Sequence, residues 1–235
     1  MDSLIEGFRK ALVLIAGLDP ELLGIIFLSL KVSGLALMIS TLAGLPAGTL
    51  IGFRKFPGRG FIISLLNTFM GLPPVVVGLF VYLFLSRSGP LGFLGLLYSP
   101  SAMVIAQVIL ALPIITALSH AAIIKIDPIV KQAALTLGAT PFQASIAVVK
   151  EARYGIMSAV IAGFGRVMAE VGAILIVGGN IANYTRVMTT TIALETDKGN
   201  FELALALGII LLFISFAINI GLYVIQKRGL LKTGD

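Results

Sequence analysis

The sequence predicts an all-α integral membrane protein with five transmembrane helices per chain. Composition points there first: 58% of the residues are hydrophobic and 12% charged, against roughly 25% charged in an ordinary soluble domain. The spacing of apolar runs points there next. A hydrocarbon core about 30 Å thick takes ~20 mostly apolar residues per helix, and stretches of that kind lie at about 24–52, 61–86, 101–124, 156–178 and 202–226. The third observation is where the basic residues fall between those runs.

Before the first span, residues 1–20 carry Arg9 and Lys10 ahead of the short apolar run ALVLIAG. No small-residue cleavage site follows, and DPELLG leads directly into a spanning helix, so this segment is expected to be an interfacial helix on the extracytoplasmic side. Cytoplasmic loops collect Lys and Arg. Arg54, Lys55 and Arg59 follow span one, Lys125, Lys131, Lys150 and Arg153 follow span three, and Lys227, Arg228 and Lys232 follow span five. The other connections are less basic, holding Arg87 in one case and Arg186, Lys198, Glu195, Asp197 and Glu202 in the other. Five crossings then place the N-terminus outside and the C-terminus in the cytoplasm, with residues 228–235 as a cytoplasmic tail. The net charge of +6 belongs to this topology and to phospholipid contact. No interleaving of aromatic and basic residues suggests a nucleic-acid partner.

Span one carries Lys31, placed to snorkel to the headgroups, and Pro46. Span two contains GLPPVVVGLF at 71–80, two adjacent prolines inside an apolar run. A proline within a helix loses a donor and clashes with the preceding turn, at roughly 3 kcal/mol or more. A break at membrane depth is tolerated where neighbouring helices, hydroxyls or cavity water satisfy the freed carbonyls. Pro73 and Pro74, flanked by Gly71 and Gly78, therefore suggest a bend lining the protein interior or a solute path, with an architectural kink as the other reading. Pro113 offers a similar bend in span three, which ends with Ser119 and His120.

The connection after span three, DPIVKQAALTLGATPFQASIAVVKEARYGI at 127–156, is punctuated as two short helices meeting at a bend. Asp127 before Pro128, and Thr140 before Pro141, each read as an N-cap followed by proline at the first helical position. Gly138 between them can take the positive φ that ends a helix. The first helix is expected at about 128–137, presenting the small residues Ala133 and Ala134 to a close partner.

In span four, Arg166 and Glu170 lie four residues apart, a spacing that places both on one helical face where an ion pair can form. Intramembrane charges usually face the interior or a wet cavity, either guarding a path or pinning the helix to a neighbour. A carboxylate facing an anion would repel it. Donors without competing charge are Asn67 and Thr68 before the double proline, Ser119 and His120, and Asn180, Asn183 and Thr189 after span four.

Several classes are excluded. The chain has no cysteine and one histidine, so thiolate metal sites, disulfides and a cysteine nucleophile are absent and metal chemistry is poorly supplied. It contains no G-x-x-x-x-G-K-[ST] phosphate cradle, no HExxH and no serine–histidine signature. Five spans do not divide into two equal inverted halves, as many secondary transporters do.

QAALTLG at 132–138 resembles the EAA loop of binding-protein-dependent ABC importers, in which Glu-Ala-Ala, three residues and Gly form the coupling helix. Gln132 stands where the family has its first Glu. Val148 takes the place of the later Ile, and Lys150 and Glu151 stand at the Leu-Pro position. The resemblance extends over nearly the whole chain: SLKVSGLALMISTLAGLPAGTLIG at 29–52, GLPPVVVGLFVYLFLSRSGPLG at 71–92, IAQVILALPII at 105–115, GFGRVMAEVGAILIVGGNI at 163–181 and TTTIALETDKGNFELALALGIILL at 189–212 are similar to permeases of the tungstate, molybdate and sulfate oxyanion importers, tungstate permeases above all.

That resemblance implies a type I ABC importer permease fold, with a transmembrane domain at 21–227 and a cytoplasmic coupling helix at about 128–143. It implies a homodimer, two copies of a separate ATPase that carries the ATP and Mg, and an extracytoplasmic oxyanion-binding protein. The chain itself would be no enzyme and would hold no cofactor. Contact with the ATPase is expected from Lys131, Gln132, Ala133, Ala134, Gly138, Ala139, Thr140 and Pro141. The pathway or gate is expected at Asn67, Thr68, Pro73, Pro74, Arg166 and Glu170. Molybdate or methionine as cargo, and an ATP-independent channel, are the alternatives.

Overall fold

The computed structural model describes residues 20–231 together with positions 8, 9, 12, 13, 16 and 17. The expected interfacial helix at 1–20 and the end of the tail at 232–235 thus fall largely or wholly outside the described residues. The described elements are α1 (Pro20–Phe53), α2 (Arg59–Met70), α3 (Pro74–Leu85), a 3-10 turn at Gly92–Leu94, α4 (Pro100–Ile124), α5 (Pro128–Thr136), α6 (Pro141–Glu151), α7 (Arg153–Met168), α8 (Gly172–Gly178), α9 (Met188–Asp197) and α10 (Phe201–Leu231). No strand occurs among them.

Three helices, α1, α4 and most of α10, are each long and apolar enough to cross a bilayer, and the number rises to five if the bent pairs α2–α3 and α7–α8 each make one crossing. Span two is interrupted where the double proline suggested a bend, and span four is interrupted as well, where no bend was expected. Pro46 and Pro113, by contrast, stay inside unbroken helices α1 and α4.

The chain divides into two compact units. One contains residues 1–36, 73–107 and 167–220. Its centre is the packing of α3 on α8, where the backbones touch: a Cβ on Gly78 would lie 2.8 Å from Ala173 Cα. Met103, Met188 and Leu207 are fully buried there. Several buried polar groups in this unit are paired across elements. Gln107 Nε2 donates to the carbonyl of Val167 over 2.9 Å, and Ser29 Oγ accepts from Met188 N over 2.8 Å while donating to Ile25 O.

The other unit contains residues 37–72, 108–166 and 221–235. In α1, Gly44, Gly48 and Gly52 repeat every four residues on the face that meets α4. Small residues at that spacing let helix backbones approach closely in a membrane, and a Cβ on Gly48 would fall on the carbonyl oxygen of Thr116. At one end of this pair, Ile123, Val148 and Ala152 form an apolar cluster joined by Phe53, Ile126 and Val130. This cluster seats the α5–α6 hairpin on the ends of α1 and α4.

Candidate functional site: the α5–α6 hairpin and two broken spans

The hairpin is built by local chemistry. Asp127 caps α5, its carboxylate accepting from Ile129 N over 2.9 Å, with Pro128 in the first turn. Leu137 ends the helix and Gly138 follows at φ 87°, a conformation glycine adopts without steric cost. Thr140 then starts α6 with a reciprocal capping box: its hydroxyl accepts from Gln143 N, and Gln143 Oε1 accepts from Thr140 N over 2.8 Å. Two helices are thereby fixed at a defined turn by side chains within a few residues.

The hairpin's inner face is held by the cluster around Ile123 and by Lys131, whose ammonium lies 5.7 Å from the centre of the Phe53 ring. Gln132, Ala133, Gly138, Thr140 and Pro141 are exposed, and Ala134 and Ala139 are half-buried. The outer face also carries large apolar side chains: Leu137 is 87% exposed and Phe142 75%, with Ile129 and Leu135 also open. Reading from sequence missed these four. For three of them the signal was available in LTLGATPF, where Leu135, Leu137 and Phe142 flank a bend.

At the double proline the structure differs from a proline-kinked helix. Gly71 closes α2, Pro73 is the N-cap of α3 with φ −64° and ψ 126°, and Pro74 occupies the first helical position. There the missing N–H is an orphan in any helix and the fixed φ is already helical, so the penalty of an interior proline does not arise. Arg166 Nη2 donates to the carbonyl of Leu72 over 3.0 Å. Asn67 and Thr68 are exposed on α2, which buries no residue at all.

Arg166 is in the last turn of α7, but Glu170 is not on that helix, which ends at Met168. The expected shared helical face is therefore absent. Glu170 instead serves the break: only 3% exposed, it accepts from Ala173 N through Oε1 over 3.0 Å, inside the first turn of α8. Thr189 Oγ1 donates to the Glu170 carbonyl over 2.8 Å, and Gln107 takes the carbonyl of Val167. Side chains thus satisfy the backbone groups that the broken helix leaves open, as lipid requires. Gln107, Ser29 and Ser33 were not singled out from the sequence, although a Gln amid an apolar span is itself a signal.

The remaining donors are mostly committed. Asn180 accepts from Thr190 Oγ1 at φ 49°, Thr68 donates to Ser64 O, and His120 Nε2 lies 3.2 Å from Arg59 Nη2. Arg59 also donates through Nε to Ile51 O over 2.9 Å, in the last turn of α1, so it ties helix ends together. Asn183 lines a cavity of about 170 Å3 whose wall includes Glu21 and Arg186, an ion pair at 3.6 Å. Ser29, Ser33 and Gln107 surround a cavity of only about 10 Å3, the space of about one water. No oxyanion fits there.

An all-helical chain with long apolar helices, two of its crossings interrupted and an exposed amphipathic hairpin, defines a multi-pass membrane protein of the type I ABC importer permease fold. The permease of a bacterial alginate ABC transporter superposes with a TM-score of 0.73 at 20% identity, covering 89% of this chain and 80% of the other. The chain belongs to the family described as the binding-protein-dependent transport system inner membrane component, which matches residues 44–229. It is 40% identical to the tungstate uptake system permease protein TupB of Peptoclostridium acidaminophilum, over 97% of this chain and 100% of that one. It is 45% identical to a probable anion ABC transporter permease protein of Haloferax volcanii, over 84% of this chain and 88% of the other.

Proposed function

We propose that this chain is the membrane subunit of an ATP-driven importer that moves a tetrahedral oxyanion, tungstate foremost, by alternating access in a homodimer. The observation that carries the cargo is the 40% identity to a tungstate uptake permease along the whole length of both chains. ATP and Mg belong to a separate ATPase, two copies of which would seat on the hairpins of the two permeases. The exposed Leu137 and Phe142 beside the Gly138 bend supply an apolar contact for that partner, and Lys131 to Pro141 supply its frame. An extracytoplasmic binding protein would deliver the anion. The basic connections support a cytoplasmic hairpin and C-terminus with the N-terminus outside.

The pathway is assigned to the interface of the two copies, near Asn67, Thr68, Pro73, Pro74, Arg166 and Glu170. Helix α2 supports this: it buries none of its residues within one chain and exposes Asn67 and Thr68 among apolar neighbours. Within that arrangement Arg166 and Glu170 hold the two helix breaks, and Glu170, being acidic, is no cargo ligand.

The test is uptake into proteoliposomes holding the permease and its ATPase, with the binding protein supplied, comparing tungstate, molybdate, sulfate and methionine with and without ATP. ATP-dependent uptake of tungstate well above the others is expected. Preference for another solute would overturn the cargo, and flux independent of ATP would overturn the importer.

A further inference from the structure

Helix α3 exposes its apolar side chains in pairs: Val75 and Val76, Leu79 and Phe80, Leu83 and Phe84. A four-residue step keeps successive pairs near one face of a helix, and in a chain of this composition such a face meets lipid. The helix ends at Leu85, Ser86 turning out of it at ψ 157°, and Arg87 and Ser88 follow in the loop. The apolar face of α3 thus ends where the chain offers phosphate-compatible groups.

A cavity of about 620 Å3 opens at that point, walled by Tyr82, Ser86, Arg87, Ser88 and Tyr98 among others. Arg87 is the charged residue of this lining, which holds no carboxylate. Its hydroxyls and guanidinium are the groups that receive phosphate oxygens, and a guanidinium suits them geometrically. The wall is set in advance: Leu91 N donates to Phe84 O over 2.9 Å, Tyr98 N to Val177 O over 2.9 Å, and the Tyr82 and Tyr98 rings meet edge to face. Beside the cavity the 3-10 turn carries Phe93, 82% exposed, with Leu91 and Leu94 also open.

We propose that this loop binds a phospholipid, with Arg87 and the hydroxyls of Ser88 and Tyr82 holding the headgroup phosphate while Leu91, Phe93 and Leu94 lie among the acyl chains. A free oxyanion offers the same tetrahedral chemistry but does not account for the rest. Allowing each of its atoms the roughly 10–15 Å3 of such space that one water needs, it fills only about a tenth of the cavity. It also leaves the apolar rim without a partner. The lipid uses both, and it continues the stripe on α3. This reading depends on the chain spanning a membrane and not on what it transports.

The experiment uses the full chain in mild detergent, stripped of lipid and titrated with phosphatidylglycerol or phosphatidylcholine, bound molecules being counted by native mass spectrometry. Phosphatidylglycerol is expected to bind, and Arg87→Gln to weaken it about tenfold, the share of one charge-assisted hydrogen bond. Arg87→Lys should recover part of the loss, and Phe93→Ser should weaken both lipids. Millimolar tungstate or inorganic phosphate should leave the lipid in place. Phosphatidylglycerol retained equally by wild type, Arg87→Gln and Phe93→Ser would overturn the proposal. So would tungstate binding that needs Arg87 while lipid retention does not, which would assign the cavity to a free oxyanion.

Discussion

The guanidinium of Arg166 donates to the carbonyl of Leu72 across 3.0 Å, joining residues 94 apart in the chain. The reason that carbonyl is free lies in the next residues. In an unbroken helix it would accept from Val76 N, but Val76 N and Val77 N both donate to Pro73 O, at 3.1 and 3.2 Å. The two prolines thus start a helix instead of distorting one, and one of the acceptors stranded in front of them is taken by an arginine. An intramembrane charge becomes a capping group for a helix break.

Arg166→Met should therefore destabilise the permease by about 1–3 kcal/mol for this bond alone, the cost of leaving a partly buried acceptor unmet. Arg166→Lys keeps one donor and should lose less. Thermal unfolding in detergent checks the order wild type, Lys, Met. Equal midpoints for all three would mean that the Leu72 carbonyl finds another partner.

Contact between α3 and α8 gives a second prediction. A Cβ on Gly78 would sit 2.8 Å from Ala173 Cα and 3.2 Å from its carbonyl oxygen, both backbone atoms. No rotamer change relieves that contact, so Gly78→Ala should cost about 1–3 kcal/mol as overpacking, and Gly78→Val more. Gly24→Ala, where nothing lies within 4 Å, is the control. Folded yield and unfolding midpoint should fall for the Gly78 variants alone.

Legibility from sequence followed the range of the forces involved. Asp127, Gly138 and Thr140 act on backbone groups within three residues, so the N-caps, the bend and the first hairpin helix could be read almost to the residue, α5 running Pro128–Thr136, whereas the end of the second at Glu151 could not. Hydropathy located all the apolar runs, since lipid imposes a length. It could not separate a continuous span four from a broken one, because no proline marks the gap at 169–171 between α7 and α8. Spacing alone put Arg166 and Glu170 on one face, whereas the partners that end α7, Gln107 and Thr189, come from elsewhere in the chain. The cargo was legible only through family resemblance, as one chain builds no cavity of suitable size among Ser29, Ser33 and Gln107.

The hairpin prediction separates local folding from partner contact. Thr140→Val removes the cap and should cost about 0.5–2 kcal/mol, seen as faster amide exchange at the start of α6. Gly138→Val must hold a β-branched residue at φ 87°, a left-handed conformation that costs roughly 1–2 kcal/mol per residue, and should abolish ATP-driven uptake. Leu137→Asp should leave that exchange unchanged yet lose the ATPase on copurification. Normal uptake by Gly138→Val would remove the coupling role from residues 131–143.

Glu195 sets a pH dependence of known sign. It is 6% exposed and accepts from Lys198 Nζ and Asn200 Nδ2, each at 2.9 Å. The Lys198 hydrogen bond holds its carboxyl below the ordinary glutamate value; burial opposes this, and the Asn200 bond with the charges of Lys198 and Arg186 adds to the lowering. A pKa lower in the folded state than in the unfolded one contributes stability above the unfolded value of about 4.3, and loses it as pH falls through the folded value. The last turn of α9 and its exit, where Asn200 N also donates to the Glu195 carbonyl over 2.8 Å, should therefore open as the medium is acidified below about pH 4. Hydrogen exchange of residues 195–200 between about pH 6 and pH 3, corrected for intrinsic rates, reads it. Glu195→Gln should flatten the acid limb, whereas Lys198→Met, by removing the main cause of the lowering, should move that limb to higher pH. An acid limb unchanged in both variants would place the titrating group elsewhere.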